Sequence, residues 1–345
     1  MPNKIHILLL VVACTISSVF ILDACRKKDV FIGTPLQFKI PAGWPQPTEF
    51  FVNNPVNEET FQLGRKLFYE GKLSKDGNFP CASCHQPFAS YTTFQHDRSH
   101  GYNHSHTLRN APGLLNIAWL KELFWDGSQD HLYVSLTHIT RPDEMAENMD
   151  TVLEKLRTDT SYIRMFREAF GDNKITGLRL LKALEQFVAF IITDNSKYDK
   201  VMRGEATFTT AEETGYTIFK AKCAVCHKEP LFTDNSFRNI GLPIDPTLND
   251  YGKMRVTGNK NDSLKFRVPS LRNVMLTSYY IHDGRFSDVG QILQHYSSGV
   301  RQSPTLDPVL VNGIPLTNTD ISYLISFMSA LTDASVTTNP RFLKP

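Results

Sequence analysis

The sequence carries no run of like charge. Its Lys+Arg total of 37 nearly cancels an Asp+Glu total of 35, leaving a formal net charge of +2. That balance offers no electrostatic footprint for nucleic acid and no acidic or basic tail. Strand-like alternation is sparse, which argues against an all-β fold. Long apolar runs are lacking as well. The one candidate, near the N-terminus, is short and broken by Thr15, Ser17 and Ser18, so a permanent membrane span is the weaker reading. Cysteine is scarce: six in 345 residues, namely Cys14, Cys25, Cys81, Cys84, Cys223 and Cys226. What remains is an ordinary globular composition, 41% hydrophobic and 21% charged, in a chain long enough for two domains.

The first residues, MPNKIHILLLVVACTISSVFILDAC, read as an export signal: an early lysine, an apolar stretch, then a small residue before cysteine. The stretch LDAC has the layout of a bacterial lipobox, with Leu22 and Ala24 in place and Asp23 an unusual occupant. Cys25 would then carry lipid and anchor a periplasmic protein to the membrane. An ordinary signal peptide with an incidental cysteine is the alternative. Either way Cys14 leaves with the signal, and only two cysteine pairs belong to the folded part.

Those pairs stand in CASCH, at 81–85, and CAVCH, at 223–227. Cys-x-x-Cys-His is the attachment pattern of c-type haem. Two thiols add to the porphyrin vinyl groups, and the adjacent histidine supplies the proximal iron ligand. The reading is therefore two covalently bound haem c groups, on Cys81, Cys84 and His85 and on Cys223, Cys226 and His227. Disulfides, a redox dithiol or half of a zinc site compete for each pair alone. The repetition, with histidine after both, favours haem.

Each motif follows a helical pattern with a glycine and an aromatic: Gly64 and Phe68 before the first, Gly215 and Phe219 before the second. Glycine permits close helix packing, and the aromatic fills the crossing. The stretch GLRLLKALEQFVAFIITDNS reads as a long, largely buried helix, and LTNTDISYLISFMSALTD as a capped terminal helix. The expected fold is mostly α, with two cytochrome c-like haem domains packed side by side. The expected divisions are signal and lipobox over 1–25, a tether and extension over 26–52, an N-terminal haem domain over 53–205 and a C-terminal one over 206–345.

Seven further stretches count together: LGRKLFYEGKLS, CASCHQPFASY, SHGYNHSHTLRNAPGLLNIAW, LFWDGS, PDEM, FRVPSLRNVMLT and IHDGRFSDVGQILQHYSSG. In this order, from roughly residue 35 onward, the chain resembles the bacterial di-haem cytochrome c peroxidase family, which includes MauG-like enzymes. The resemblance implies that hydrogen peroxide reacts at the N-terminal haem, on His85. The C-terminal haem, on His227, would relay electrons from a small cytochrome c or copper-protein donor. Peroxide reduction takes two electrons, a physical reason for two haems. Homodimers are frequent among relatives.

The same resemblance assigns further residues. Trp125 matches the tryptophan lying between the haems, although a core role would also suit it. Glu144 matches the distal acid that moves a proton during O–O cleavage. It also suits the start of a helix. His100 is the best match for a distal histidine ligand, with His96 as runner-up; two extra residues before Arg109 blur the register. The sixth ligand of the C-terminal haem falls fourteen residues after His282, on Tyr296, where peroxidases commonly have methionine. Tyrosine there is the MauG-like arrangement; Met275, Met254 and His295 are the alternatives. Ser135 and His138 stand where glutamine and proline are frequent, and His138 reads as an extra pocket base or a satisfied loop histidine. Asn110, Thr277 and Tyr279 match the family's calcium site, which suits oxygen ligands. Arg109 and Arg272 would pair with haem propionates or serve as interdomain arginines. The implied function is peroxide reduction. A MauG-like oxidation of a protein or organic substrate is the second reading, and a non-enzymatic electron carrier the third.

Overall fold

The computed structural model describes residues 33–48, 51, 54–129 and 134–345. The signal and the lipobox around Cys25 lie outside them. Five helices build the first core: α1 (Glu58–Phe68), α2 (Val134–Thr140), α3 (Met149–Arg157), α4 (Thr160–Phe170) and α5 (Gly177–Ala189). A second core is built from α6 (Lys197–Met202), α7 (Thr210–Lys222), α9 (Val289–Gln294) and α10 (Asn318–Ala330), while the short α8 (Met254–Thr257) buries no residue. A short α11 (Ser335–Thr338) follows. Strand is confined to β1 (Phe237–Arg238) and β2 (Phe266–Arg267), paired antiparallel. The long stretches after α1 and α7 are loops and short turns, and these carry the chemistry.

The two cores repeat one device. In α1, a methyl group on Gly64 would collide with the carbonyl of Ala183 in α5. In α7, one on Gly215 would collide with the carbonyl of Tyr323 in α10. Each crossing is finished by fully buried aromatics, Phe68 against Phe187 and Phe219 against Phe327, with ring centres 5.2 and 5.1 Å apart. The helices start where the sequence places caps. Asn57 accepts from the Thr60 amide at α1. Thr209 with Glu212 and Thr317 with Asp320 form reciprocal capping boxes at α7 and α10.

The expected divisions shift in three places. Tyr198 of α6 packs on Phe232 and Phe327, so the second lobe begins near Ser196, not after residue 205. Apolar side chains decide this: the helix buries its tyrosine in the second core although it precedes the polar connection. Within the expected tether, Leu36, Phe38, Ile40 and Trp44 pack against the first core, because aromatic surface there finds Trp119 and Phe190. The tail beyond α10 leaves the second lobe for the first. Val336 is buried in the first core, Arg341 pairs with Glu58, and Arg65 and Tyr69 donate to the carbonyls of Leu343 and Phe342.

The lobes are tied together beside the loops. Arg109 pairs with Asp126 of its own lobe and, through two nitrogens, with Asp250 of the other. The Arg267 amide donates to the Trp125 carbonyl at 2.8 Å, and the Asn110 amide to that of His282 at 2.8 Å.

Candidate functional site

Cys81, Cys84 and His85 sit on a tight turn over Cys81–Ser83. All four cysteines of the two motifs are free thiols. Burial pushes those of Cys81 and Cys84 up to about 12. His85 is buried, and its Nδ1–H donates to the Tyr91 carbonyl at 2.9 Å. Burial, with the neighbouring His138 adding to it, pushes His85 down to about 4, so the ring is neutral. With Nδ1 held, Nε2 is the nitrogen left for a metal, the arrangement that orients metal-bound histidines generally. Cys81, Cys84 and His85 line an open cleft of about 1090 Å³.

The second motif repeats this. His227 Nδ1 lies 3.1 Å from the carbonyls of both Phe232 and Pro269, and burial lowers its pKa. Cys223, Cys226 and His227 line a second cleft of about 1880 Å³. Paired thiols, an oriented neutral imidazole and a large open cleft together fit a covalently attached haem in each lobe.

Tyr296 lies in a widened π-type turn, His295–Gly299, that directly continues α9. Such turns re-aim side chains at functional sites. Tyr296 lines the second cleft; Met275, Met254 and His295 do not. His295 Nε2 is instead engaged with the Ile240 carbonyl at 2.8 Å. Burial raises the Tyr296 phenol well above its ordinary value, and the nearby Cys226 and Cys223 add to this. The phenol therefore stays protonated unless a cation compensates.

Trp125 and Asn110 line both clefts. The Trp125 indole N–H donates to the Asn110 carbonyl at 2.9 Å, and the side chain is buried. The three residues expected to hold calcium converge beside it. The Asn110 side chain and the Thr277 hydroxyl both reach the Tyr279 carbonyl at 3.4 Å. Asn110 does so through its Nδ2–H, so its Oδ1, the Thr277 hydroxyl and the Tyr279 carbonyl are the oxygens that a hard cation would require to turn inward.

On the far side of the first cleft, Glu144 is engaged by His138 Nδ1 and by Arg141 at 3.2 Å. Both Glu144 and His138 line the cleft. His100 and His96 do not. The His100 ring instead packs between His96 and His106, tilted to the first and edge-on to the second, with centres 4.5 and 4.3 Å away. Burial and these two rings hold its pKa below the ordinary value. His100, the expected distal ligand, thus packs within a cluster of its own loop.

The arginines divide differently from expectation. Arg109 lines the first cleft, yet its guanidinium is shared between Asp126 and Asp250. Arg272 lines the second cleft, but it holds Asp199 through two nitrogens at 2.9 and 2.8 Å and donates its Nε–H to the Pro230 carbonyl. Both fit interdomain or core tethering better than a propionate contact. Arg267, which sequence reasoning passed over, is the better candidate. It is buried and lines the second cleft. Its side chain donates to the Phe124 carbonyl, and it has no carboxylate partner among the described residues. Burial without an offsetting anion pushes it down to about 10. A haem propionate would supply that anion. The only sequence signal was its place in FRVPSLRN, five residues before Arg272.

Comparison with known proteins gives one consistent answer. The family model for di-haem cytochrome c peroxidase matches residues 58–207. The methylamine utilization protein MauG of Methylorubrum extorquens is 33% identical over 277 residues, covering 78% of this chain and 76% of the relative. The cytochrome c551 peroxidase of Nitrosomonas europaea is 30% identical over 283 residues, 81% of each chain. Among solved structures, a MauG-like protein associated with microbial copper homeostasis superposes with a TM-score of 0.83 at 30% identity. It covers 90% of this chain and 99% of that one.

Proposed function

Because the chain belongs to the di-haem cytochrome c peroxidase family, oxidoreductases with two haem cofactors, we propose that it reduces hydrogen peroxide to water in the first cleft with electrons that enter at the second. The observation that carries this is Trp125, one buried indole in the wall common to both clefts. Bound haem would supply the redox iron in each cleft. His85 and His227 would hold it through Nε2, and the cysteine pairs would attach it covalently. Glu144 takes a proton from the nearer peroxide oxygen and returns it to the departing one. Two electrons and two protons then complete two waters. Asn110, Thr277 and Tyr279 would hold calcium beside Trp125 and stiffen the junction. Export and a lipid on Cys25 would place the enzyme in the periplasm, where a small cytochrome c or copper protein can reach it. Among the described residues no helix is long and apolar enough to cross a membrane.

A second reading is favoured by Tyr296. An anionic oxygen ligand stabilises ferric iron and lowers its potential, which makes the second cleft a poorer acceptor from a high-potential donor. The oxidising power would then be drawn from a protein or organic substrate, as in the MauG-like arrangement. The test mixes purified holoprotein with peroxide and a reduced small c-type cytochrome. Rapid oxidation of two cytochromes per peroxide supports the peroxidase. Peroxide consumption without cytochrome oxidation transfers support to the second reading. No peroxide consumption at all overturns both.

A further inference from the structure

We infer that the C-terminal tail, through the Tyr91 hydroxyl, positions the proximal histidine of the first lobe and so tunes the haem held there. Tyr91 is thereby a positioning residue, acting through His85. The inference rests on the proposed role of His85 and goes beyond it.

The carbonyl that orients His85 is the first support. It belongs to Tyr91, whose backbone is left-handed at φ 59°, directly after Ser90 at φ 58°. A bulky aromatic rarely adopts that region, and it persists there only where its surroundings hold it. Relaxation of Tyr91 to negative φ would swing the carbonyl away from the imidazole.

What holds Tyr91 is the second support. Its side chain is fully buried, and its hydroxyl donates to the Phe342 carbonyl at 3.3 Å. The Tyr69 hydroxyl donates to the same carbonyl at 2.7 Å. The tail is itself pinned on both sides of Phe342. Arg65 donates to the carbonyls of Pro340 and Leu343 at 2.6 and 2.7 Å, and the Arg341 guanidinium pairs with Glu58 and lies over the Phe61 ring. Closer to the second lobe, α11 packs on the turn Pro87–Ala89, which leads into Ser90 and Tyr91. The tail therefore meets this loop twice.

The second lobe supplies the contrast. His227 also faces the carbonyl of a left-handed aromatic, Phe232 at φ 55°, and it has the Pro269 carbonyl besides. Phe232 has no hydroxyl. Its ring is held within its own core by Tyr198 and Phe219, with centres 4.8 and 5.4 Å away. One lobe fixes its aromatic by itself; the other relies on the last residues of the chain.

A carbonyl on the outer nitrogen raises the basicity of a metal-bound imidazole, and a more basic ligand favours ferric iron. Loosening this carbonyl should therefore raise the midpoint potential of the N-terminal haem alone.

The test is a spectroelectrochemical titration of the holoprotein in wild type, Tyr91→Phe, a chain ending at Asn339, and the two changes combined. Phenylalanine keeps the buried ring and loses only the hydroxyl. Val152→Ala, a cavity elsewhere in the first core, controls for lost stability. Tyr91→Phe and the shortened chain should both raise the N-terminal potential and leave the C-terminal one in place. The combination should shift it no further than the shortened chain does, because both changes break one link. No shift in Tyr91→Phe, equal shifts at both haems, additive shifts, or the same shift in Val152→Ala each overturn the inference. Haem stoichiometry separates it from the reading beneath it. Two covalent haems per chain with an unresponsive Tyr91→Phe sink the tail's role alone, whereas fewer than two in wild type sink the proposed function with it.

Discussion

The indole N–H of Trp125 donates to the main-chain carbonyl of Asn110 at 2.9 Å, and the main-chain carbonyl of Trp125 accepts from the Arg267 amide of the other lobe at 2.8 Å. One residue is thus pinned by its side chain within its own lobe and by its backbone across the interface. Its position between the clefts is set by neither lobe alone.

Trp125→Phe keeps most of the packing and loses the indole and its hydrogen bond. If electrons cross here, turnover with peroxide and a reduced donor falls at least about tenfold, a barrier rise of about 1.4 kcal/mol. Haem content and the separate haem spectra stay as in wild type. Stopped-flow traces should show the second haem still reduced by donor and its reoxidation by peroxide slowed.

Gly64→Ala and Gly215→Ala each force a methyl group into a helix carbonyl, at α1 on α5 and at α7 on α10. Overpacking of a tight contact costs about 1–3 kcal/mol. Each variant is expected to melt earlier than wild type in thermal unfolding. The losses should add, because the two crossings belong to separate cores.

These glycines were legible in the sequence. A helical repeat entering each CxxCH fixed the face, and a glycine on that face has one plain use. Glu144, Trp125 and Tyr296 were legible only as members of ordered motifs; the fold then set each against a cleft wall. Which of the histidines between 96 and 106 faces where was not legible. The four are locally interchangeable, and it is the fold that sets His100 between His96 and His106 while His138, on α2, joins His85 in lining the first cleft. Arg267 was hidden for a related reason. At the end of the two-residue β2 it reads as a solvated charge until the fold buries it and sets it against the Phe124 carbonyl of the first lobe. The placement of α6 and of the tail depended on which core offered aromatic partners, a long-range property that local periodicity does not carry.

Arg267→Met removes a buried cation from the second cleft. A nearby positive charge favours the reduced haem, so its loss should lower the midpoint potential of the C-terminal haem and leave the N-terminal one nearly unchanged. A spectroelectrochemical titration resolves the two. Equal shifts at both haems, or none, would reject a propionate contact at Arg267.

Arg272 and Asp199 form a buried pair whose side chains are 0% and 7% exposed. Burial would raise the Asp199 carboxyl, but the hydrogen bonds and charge of Arg272 hold it below its ordinary value. A depressed carboxylate stabilises the fold fully above its unfolded value of about 3.9, and this stability is lost as pH falls through the lower folded value. Arg272→Met leaves the carboxylate buried without a cation, which costs about 3–5 kcal/mol at neutral pH. In the variant the folded Asp199 is raised instead, so the deficit should shrink as pH falls towards 4. Urea unfolding of both proteins at pH 7 and pH 4.5 measures it.

The Tyr91 carbonyl orients His85, and the Tyr91 hydroxyl donates to the carbonyl of Phe342, 251 residues further along the chain. During synthesis the first lobe emerges long before that partner exists. Its floor is completed only when the whole second lobe has been made and the tail has returned. Contacts of such long sequence separation form slowly. The lobe that carries the early CxxCH is therefore finished by some of the last residues of the chain to be made.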